Sequence, residues 1–206
     1  MIIHDTARNI FQQLSALYPG ALAAFERSKT IKPGLLGYQA LALFALATRY
    51  DRPGARILEL GTAVGYSASL LAQGAPRAQI VTLNPRTGEL PLARQNLRPF
   101  ANVTLLERYS WDHLAQTPAG VVLDMVFVDG DHNHIARDLP WFNHLAIGGL
   151  LLCHDYTPLG GRKPSPIIYA ELNHLAEKLG RPFDVSVIDE SQVGMAGFYR
   201  RAGETL

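Results

Sequence analysis

The sequence predicts an α/β chain built on a doubly wound, mainly parallel sheet of seven strands that ends in an antiparallel hairpin. Three observations predict it. Strand-like and helix-like segments alternate through the chain from Arg56 onward. The strand-like runs, such as Asp124-Met-Val-Phe-Val-Asp129, are continuously apolar, as parallel strands covered on both faces must be. The last two strands are joined by a loop that includes Gly194 and no helix, so they should pair antiparallel.

Two helical patterns come first. Ile10, Leu14, Leu17 and Leu22 share one face of a pattern that Pro19-Gly20 interrupts. The second runs from about Leu35 to Tyr50 and stops at Asp51-Arg52-Pro53-Gly54, a turn signature. Strands are then expected at 56–60, 79–83, 103–107, 122–129, 149–155, 183–189 and 195–200. Helices are expected near 65–73, 89–97, 135–146 and 167–179. In the third of these, Asp138 reads as the cap of a second segment, because Pro140 is tolerated only in a first turn or at a kink. Trp141, Phe142 and Leu145 read as sheet-packing residues. No repeat, low-complexity tract or linker divides the chain. Residues 1–206 are therefore expected to form one domain, with a helical cap over 1–50 and an α/β core over 55–206.

Composition narrows the partners. At 206 residues and 48% hydrophobic content the chain can bury one sizeable core. Nineteen basic and 18 acidic residues leave a net charge of +1, which gives no electrostatic footprint for nucleic acid or an anionic membrane. Cys153 is the only cysteine, so no internal disulfide can form, and its apolar run places it in a buried strand. The N-terminus lacks a secretion pattern, and the apolar stretch from Leu35 to Ala47 is too short to span a bilayer. The expected setting is the cytoplasm, with neither a membrane nor a nucleic-acid partner.

The stretch Arg56-Ile-Leu-Glu-Leu-Gly-Thr-Ala-Val-Gly-Tyr-Ser-Ala-Ser-Leu-Leu71 carries the most chemical information. A strand meets an acidic residue, two glycines follow four apart, and a helix opens whose first amides can receive an anionic group. A dinucleotide fingerprint is excluded because position 63 is Ala, and a nucleophile elbow because position 69 is Ser. The spacing Glu59-x-Gly61-x-x-x-Gly65 resembles the first motif of S-adenosylmethionine-dependent methyltransferases of the Rossmann-like class. Gly65-Tyr66-Ser67 is similar to the same point in catechol and caffeoyl-CoA O-methyltransferases. The resemblance implies that Glu59, Gly61, Thr62, Ala63 and Gly65 build the site for the cofactor's amino-acid portion, with Tyr66 and Ser67 holding its carboxylate. Asn84 stands where such proteins usually place an Asp or Glu on the ribose; it can hydrogen-bond a hydroxyl without the charge. Ser110 and Trp111 match positions that flank the adenine.

A second block, Asp124 to Tyr156, resembles the methyltransferase 24 group of the class I enzymes, related to catechol-type and cephalosporin-type O-methyltransferases. With the glycine loop and the hairpin, the resemblance covers roughly Leu35 to the C-terminus. On the residues alone, Asp129 and Asp155 end two strands and should face one crevice, where crowded carboxylates call for a cation or a proton between them. By resemblance, these positions hold a divalent ion such as Mg²⁺, and Asp129 also contacts the cofactor. His154 departs from the all-oxygen set of the metal-dependent enzymes, since histidine favours Zn, Fe or Ni. His132 matches the position of a catalytic lysine and could remove a hydroxyl proton near neutral pH; His154 is the second candidate base. His134 cannot share a helix face with His132, which argues against a zinc pair. The loop from Tyr156 to Pro166 is placed to close over substrate, with Arg162 and Lys163 at a solvated tip.

The expected activity is methyl transfer from S-adenosylmethionine to a small-molecule hydroxyl, with or without a divalent ion, and related enzymes dimerise through their N-terminal helices. A metal-independent N-methyltransferase is the alternative within the class. A non-catalytic S-adenosylmethionine-binding module is the alternative outside it.

Overall fold

A computed structural model describes residues 1–85, 87–156, 166–189 and 194–206. The loop expected to close over substrate, with Arg162 and Lys163, lies outside the described residues. The chain begins with β1 (Ile2–Asp5), α1 (Ala7–Leu17), α2 (Pro19–Ser28) and α3 (Gly37–Ala47). Strand–helix alternation follows: β2 (Arg56–Leu60), α4 (Tyr66–Gly74), β3 (Gln79–Asn84), α5 (Leu90–Leu97), β4 (Val103–Glu107), α6 (Ser110–Gln116) and β5 (Leu123–Val128). The rest comprises α7 (Ile135–Asp138), β6 (Leu145–Tyr156), α8 (Pro166–Leu179), β7 (Val185–Asp189) and β8 (Gly194–Tyr199).

Among the described residues these strands make one sheet in the order β1-β7-β8-β6-β5-β2-β3-β4. Only β8 runs antiparallel to its neighbours β6 and β7. Parallel strands alternate their side chains between two covered faces. Ile57 accordingly joins the apolar layer under α1, α3 and α4, while its neighbour Leu58 joins the layer with Trp141, Phe142 and Leu172. The order reverses between β2 and β5, so the crevice past their carboxyl ends is where this architecture binds ligands. No helix among the described residues is long and apolar enough to cross a membrane.

The doubly wound sheet and the closing hairpin agree with the sequence; several details differ. The sheet has eight strands, because Ile2–Asp5 pairs parallel with Ser186 to Asp189. The expected face through Leu17 and Leu22 does not exist: Pro19 starts a second helix in a new direction, and Leu17 is 70% exposed. The segment 135–146 is one short α-helix followed by a 3₁₀ stretch, Leu139–His144, with Pro140 in its first turn, and Leu145 already belongs to β6. Asp138 stands at the N-cap position of that stretch, as expected, but makes no side-chain cap bond; its carboxylate takes a bond from Ser110 instead. Trp141, Phe142, Leu145 and Cys153 are buried as expected.

The chain end is clasped by one guanidinium. Arg181, its side chain only 7% exposed, pairs with Asp184 and Glu204 and donates to the Tyr199 carbonyl at 2.6 Å. Both carboxyls are held below their ordinary values: the Arg181 hydrogen bond is the largest cause at Glu204, while at Asp184 burial pushes upward and the Tyr199 amide and Arg181 outweigh it. Depressed carboxyl pKa values give stability that is full above the unfolded values of 3.8 and 4.5 and is lost as pH falls through the folded ones. Arg181→Met should therefore cost about 3 kcal/mol in denaturant unfolding near neutral pH. The difference from the parent should shrink below about pH 4; equal stability at pH 7 would show that the clasp contributes nothing.

Candidate active site

The glycine loop is shaped by close backbone approach. Gly61 has φ +103°, and a Cβ built there would lie 2.2 Å from the Asp129 carbonyl oxygen. Only glycine allows the end of β2 to rest against the end of β5 in this way. Gly65 has φ +90° and faces Leu97, which a Cβ would meet at 2.9 Å. The Gly61 and Thr62 amides donate to the Leu83 carbonyl at 2.9 and 3.1 Å, and the Gly65 amide closes the turn on Thr62 O at 2.7 Å. Ala63, at φ +43°, is the exposed crest of the loop.

Several residues expected to meet the cofactor instead support this loop from beneath. Glu59 is 0% exposed; Thr82 donates to its Oε2, and the Thr62 and Thr82 hydroxyls are bonded at 2.6 Å. Burial pushes the Glu59 carboxyl up to about 7, against the opposing bonds of Ser67 and Thr82. Ser67 is buried and bonded to Glu59, and Tyr66 lies in the apolar layer, its hydroxyl without a partner among the described residues. Their side chains are turned away from the crevice, so the backbone is what the start of α4 can offer a ligand. Asn84 is likewise engaged: Oδ1 accepts from the Ala63 amide at 3.1 Å, and Nδ2 donates to Pro85 O and Thr87 Oγ1.

Beyond β5 and β6 lies a cluster of two carboxylates and two imidazoles. His154 Nδ1 is 3.0 Å from Asp129 Oδ1 and 3.2 Å from Asp155 Oδ1, and its Nε2 is 3.1 Å from Gln39 Oε1 on α3. His132 Nε2 is 2.6 Å from Asp155 Oδ2. Consecutive strand residues normally point to opposite faces, yet His154 and Asp155 both enter this cluster. A register shift between Cys153 and Tyr156 in the pairing with β8, with Asp155 at φ +60°, brings them together. His154 is 6% exposed. Burial acts to lower its pKa, but the Asp129 and Asp155 carboxylates outweigh this and lift it to about 10. Burial acts to raise Asp155, and His132 and His154 hold it well below the usual carboxylate range. The Asp155 hydrogen bond raises His132 despite partial burial.

The ligating atoms of Asp129, His154 and Asp155 all lie within 4.8 Å of one another. Two carboxylate oxygens and one imidazole nitrogen fit a borderline divalent ion such as Mn²⁺, Fe²⁺ or Zn²⁺ better than Mg²⁺, which prefers oxygen throughout. The Gln39 carbonyl can take the Nε2 proton and leave Nδ1 aimed at the carboxylates, the tautomer a metal ligand needs. The same point can hold a proton, so ion and proton compete for it.

Next to this cluster a cavity of about 370 Å³ brings together Gly61, Ala63, Asn84, Ser110, Trp111 and Asp129. Tyr109, Asp131 and Asp138 also line it, and the sequence reading gave none of them a site role. An aspartate between Ile135 and Leu139, both buried, was the available signal for Asp138, as the lone amide in an apolar helix was for Gln39. His134 pairs with exposed Asp131 at 2.7 Å and stays out of the metal-type cluster.

Residues 58–156 match a family model described as a methyltransferase domain. A catechol O-methyltransferase of Mycobacterium tuberculosis is 31% identical over 144 residues, a match covering 68% of this chain and 64% of that protein's length. Cofactor-bound Rv0187 from MTB superposes with a TM-score of 0.64 at 22% identity, over 91% of this chain and 94% of that one. The O-methyltransferase TomG from Streptomyces achromogenes, solved in complex with SAM, gives 0.64 at 19% identity, over 93% and 96%. The structural likenesses establish the Rossmann-like fold.

The backbone contact at residue 61 is directly testable. Gly61→Ala should lower stability by at least about 2 kcal/mol, read as a fall in melting temperature. A variant as stable as the parent would show that the two strand ends are not held in contact.

Proposed function

Because residues 58–156 match a methyltransferase-domain model, we propose that the protein transfers a methyl group from S-adenosylmethionine to a hydroxyl of a small molecule. The observation that carries the reading is the cavity between the glycine loop and α6, which opens beside the Asp129–His154–Asp155–His132 cluster.

The cofactor's amino-acid portion is assigned to the backbone of Gly61–Gly65 and the first amides of α4, and its nucleoside to the wall formed by Asn84, Ser110 and Trp111. The methyl acceptor lies against Asp129 and His132. His132 is the base: Asp155 holds Nε2, which leaves Nδ1 to take the hydroxyl proton, and the carboxylate stabilises the imidazolium that forms. His154 has both nitrogens engaged and is buried, which suits a fixed counter-charge between Asp129 and Asp155 rather than a proton acceptor. A divalent ion held by Asp129, Asp155 and His154 supplies Lewis-acid polarisation of the acceptor oxygen when bound. Positioning of the two reactants accounts for most of the rest.

Methyl-donor turnover against a panel of phenols and sugar hydroxyls tests the proposal. His132→Ala should lower kcat by about 10²- to 10⁴-fold while leaving affinity for S-adenosylhomocysteine little changed. A chelator should slow the parent enzyme, and Mn²⁺ should restore it better than Mg²⁺. Saturable cofactor binding with no turnover of any acceptor would favour a binding module; no binding at all would remove the methyltransferase reading.

A further inference from the structure

A second cavity, of about 310 Å³, lies at the amino ends of β2 and β3, where Arg56 and Gln79 open their strands. The cavity assigned to the methyl donor lies at the other ends of the same strands, by Gly61 and Asn84. Helix α6 reaches both: Ser110 and Trp111 line the first, His113 and Gln116 the second. None of the residues of α6 is fully buried, so it covers the sheet without filling the space beneath it. A volume of this size is in the range that takes a small organic ligand.

Leu58, Val81, Val121 and the buried Trp141 make an apolar wall. Among the described residues the lining includes no Asp or Glu. Arg56 stands exposed at the mouth, and Asp124 is already paired with the Arg52 side chain and the Arg56 amide. Arg108 Nη1 lies 3.3 Å from His113 Nδ1 and 3.2 Å from Gln116 Oε1, and a guanidinium only donates. The acceptors of both side chains are thereby used, which leaves the imidazole Nε2–H and the Gln116 amide N–H groups to offer. Burial and the Arg108 charge hold the His113 pKa below its ordinary value, so the ring is neutral near pH 7. Trp141 is 1% exposed, and its Nε1–H has no partner among the described residues. A buried donor in that condition is rare in folded proteins.

We propose that this cavity is a second ligand site, for a small apolar carboxylate, separate from the methyl-donor cavity. The apolar body lies against Leu58, Val81 and Trp141, where its removal from water drives binding. The carboxylate meets Arg56 at the mouth and accepts from the N–H groups of the lining, bonds that its charge strengthens. The site does not depend on the methyl-donor reading.

Indole N–H signals in ¹⁵N–¹H spectra of the full chain test it, because Trp111 and Trp141 are the only tryptophans and each lines one cavity. Trp111→Phe assigns the two signals. Added 2-naphthoate should shift the Trp141 signal saturably, with a Kd of about 1 mM or tighter, whether or not S-adenosylhomocysteine is present. The neutral 2-naphthamide should bind at least about threefold more weakly, and Arg56→Gln should erase most of that preference. Val81→Phe fills the cavity and should abolish the shift; should it fail to fold, Val121→Phe fills the same space. No saturable shift at Trp141, or one that survives the filling variant, overturns the site. So does a response at Trp111 that S-adenosylhomocysteine competes away, which would put the probe in the other cavity. Equal affinity for the two probes, or a preference untouched by Arg56→Gln, overturns the carboxylate assignment. Failure of S-adenosylhomocysteine to bind would overturn the methyl-donor reading alone.

Discussion

The carboxyl edge of the sheet depends on one backbone contact, residue 61 lying against residue 129. That contact presses the turn after β2 onto the end of β5, at the point where strand order reverses. It places the loop suited to a ligand's anionic end and the carboxylate suited to its reacting end within one crevice. The layer beneath keeps the contact rigid. A chain of bonded groups, Thr62, Thr82, Glu59 and Ser67, ties the loop, two strands and the first turn of α4 together without reaching the cavity. Most polar groups of this layer have partners, Glu59 Oε1 being the exception, and a network of this kind favours one loop shape.

Electrostatics at the next strand end follow the same logic of internal compensation. Two carboxylates this close cannot both be charged without a cation. The chain supplies its own in His154, which the N-terminal layer holds through Gln39. The N-terminal helices thus do more than cover one face of the sheet, since α3 sets the orientation of a group at the centre of the site.

Legibility from sequence tracked the strength of each local signal. β2 and β4 were read at their observed ends because an apolar run is bounded by turn residues or charge. β1 was not seen, since four residues with two on the exposed side give no pattern, and their partner lies far along the chain. α6 was missed because none of its residues is buried, so no periodicity marks it. Leu17 was grouped with Ile10 and Leu14 on one face by spacing alone; it is the last residue of α1 and lies exposed. Asp129 and Asp155 could be placed together as strand ends, but the entry of both His154 and Asp155 required a bulge that no residue pattern announces. Asn84 was read as a ribose contact; it lines the cavity, and its side chain also fastens the loop at Ala63. Ser110 was singled out, while the partner that orients it, Asp138, was read as a helix cap.

The pairing of β1 with β7 has a kinetic side. Its register joins Ile2 to Ser186 and Asp5 to Asp189, so the earliest strand waits for one of the last before any of its ladder can form. Closing a loop of that length adds little to the entropy cost of the finished state, because the cost grows only logarithmically. It does delay the event, and non-local parallel pairings are the slow ones. Until then the apolar Ile2 and Ile3 remain on a chain whose central strands, β2, β3 and β5, already have neighbours available. Assembly is expected to proceed outward from β2, with the edge at β1 sealed last.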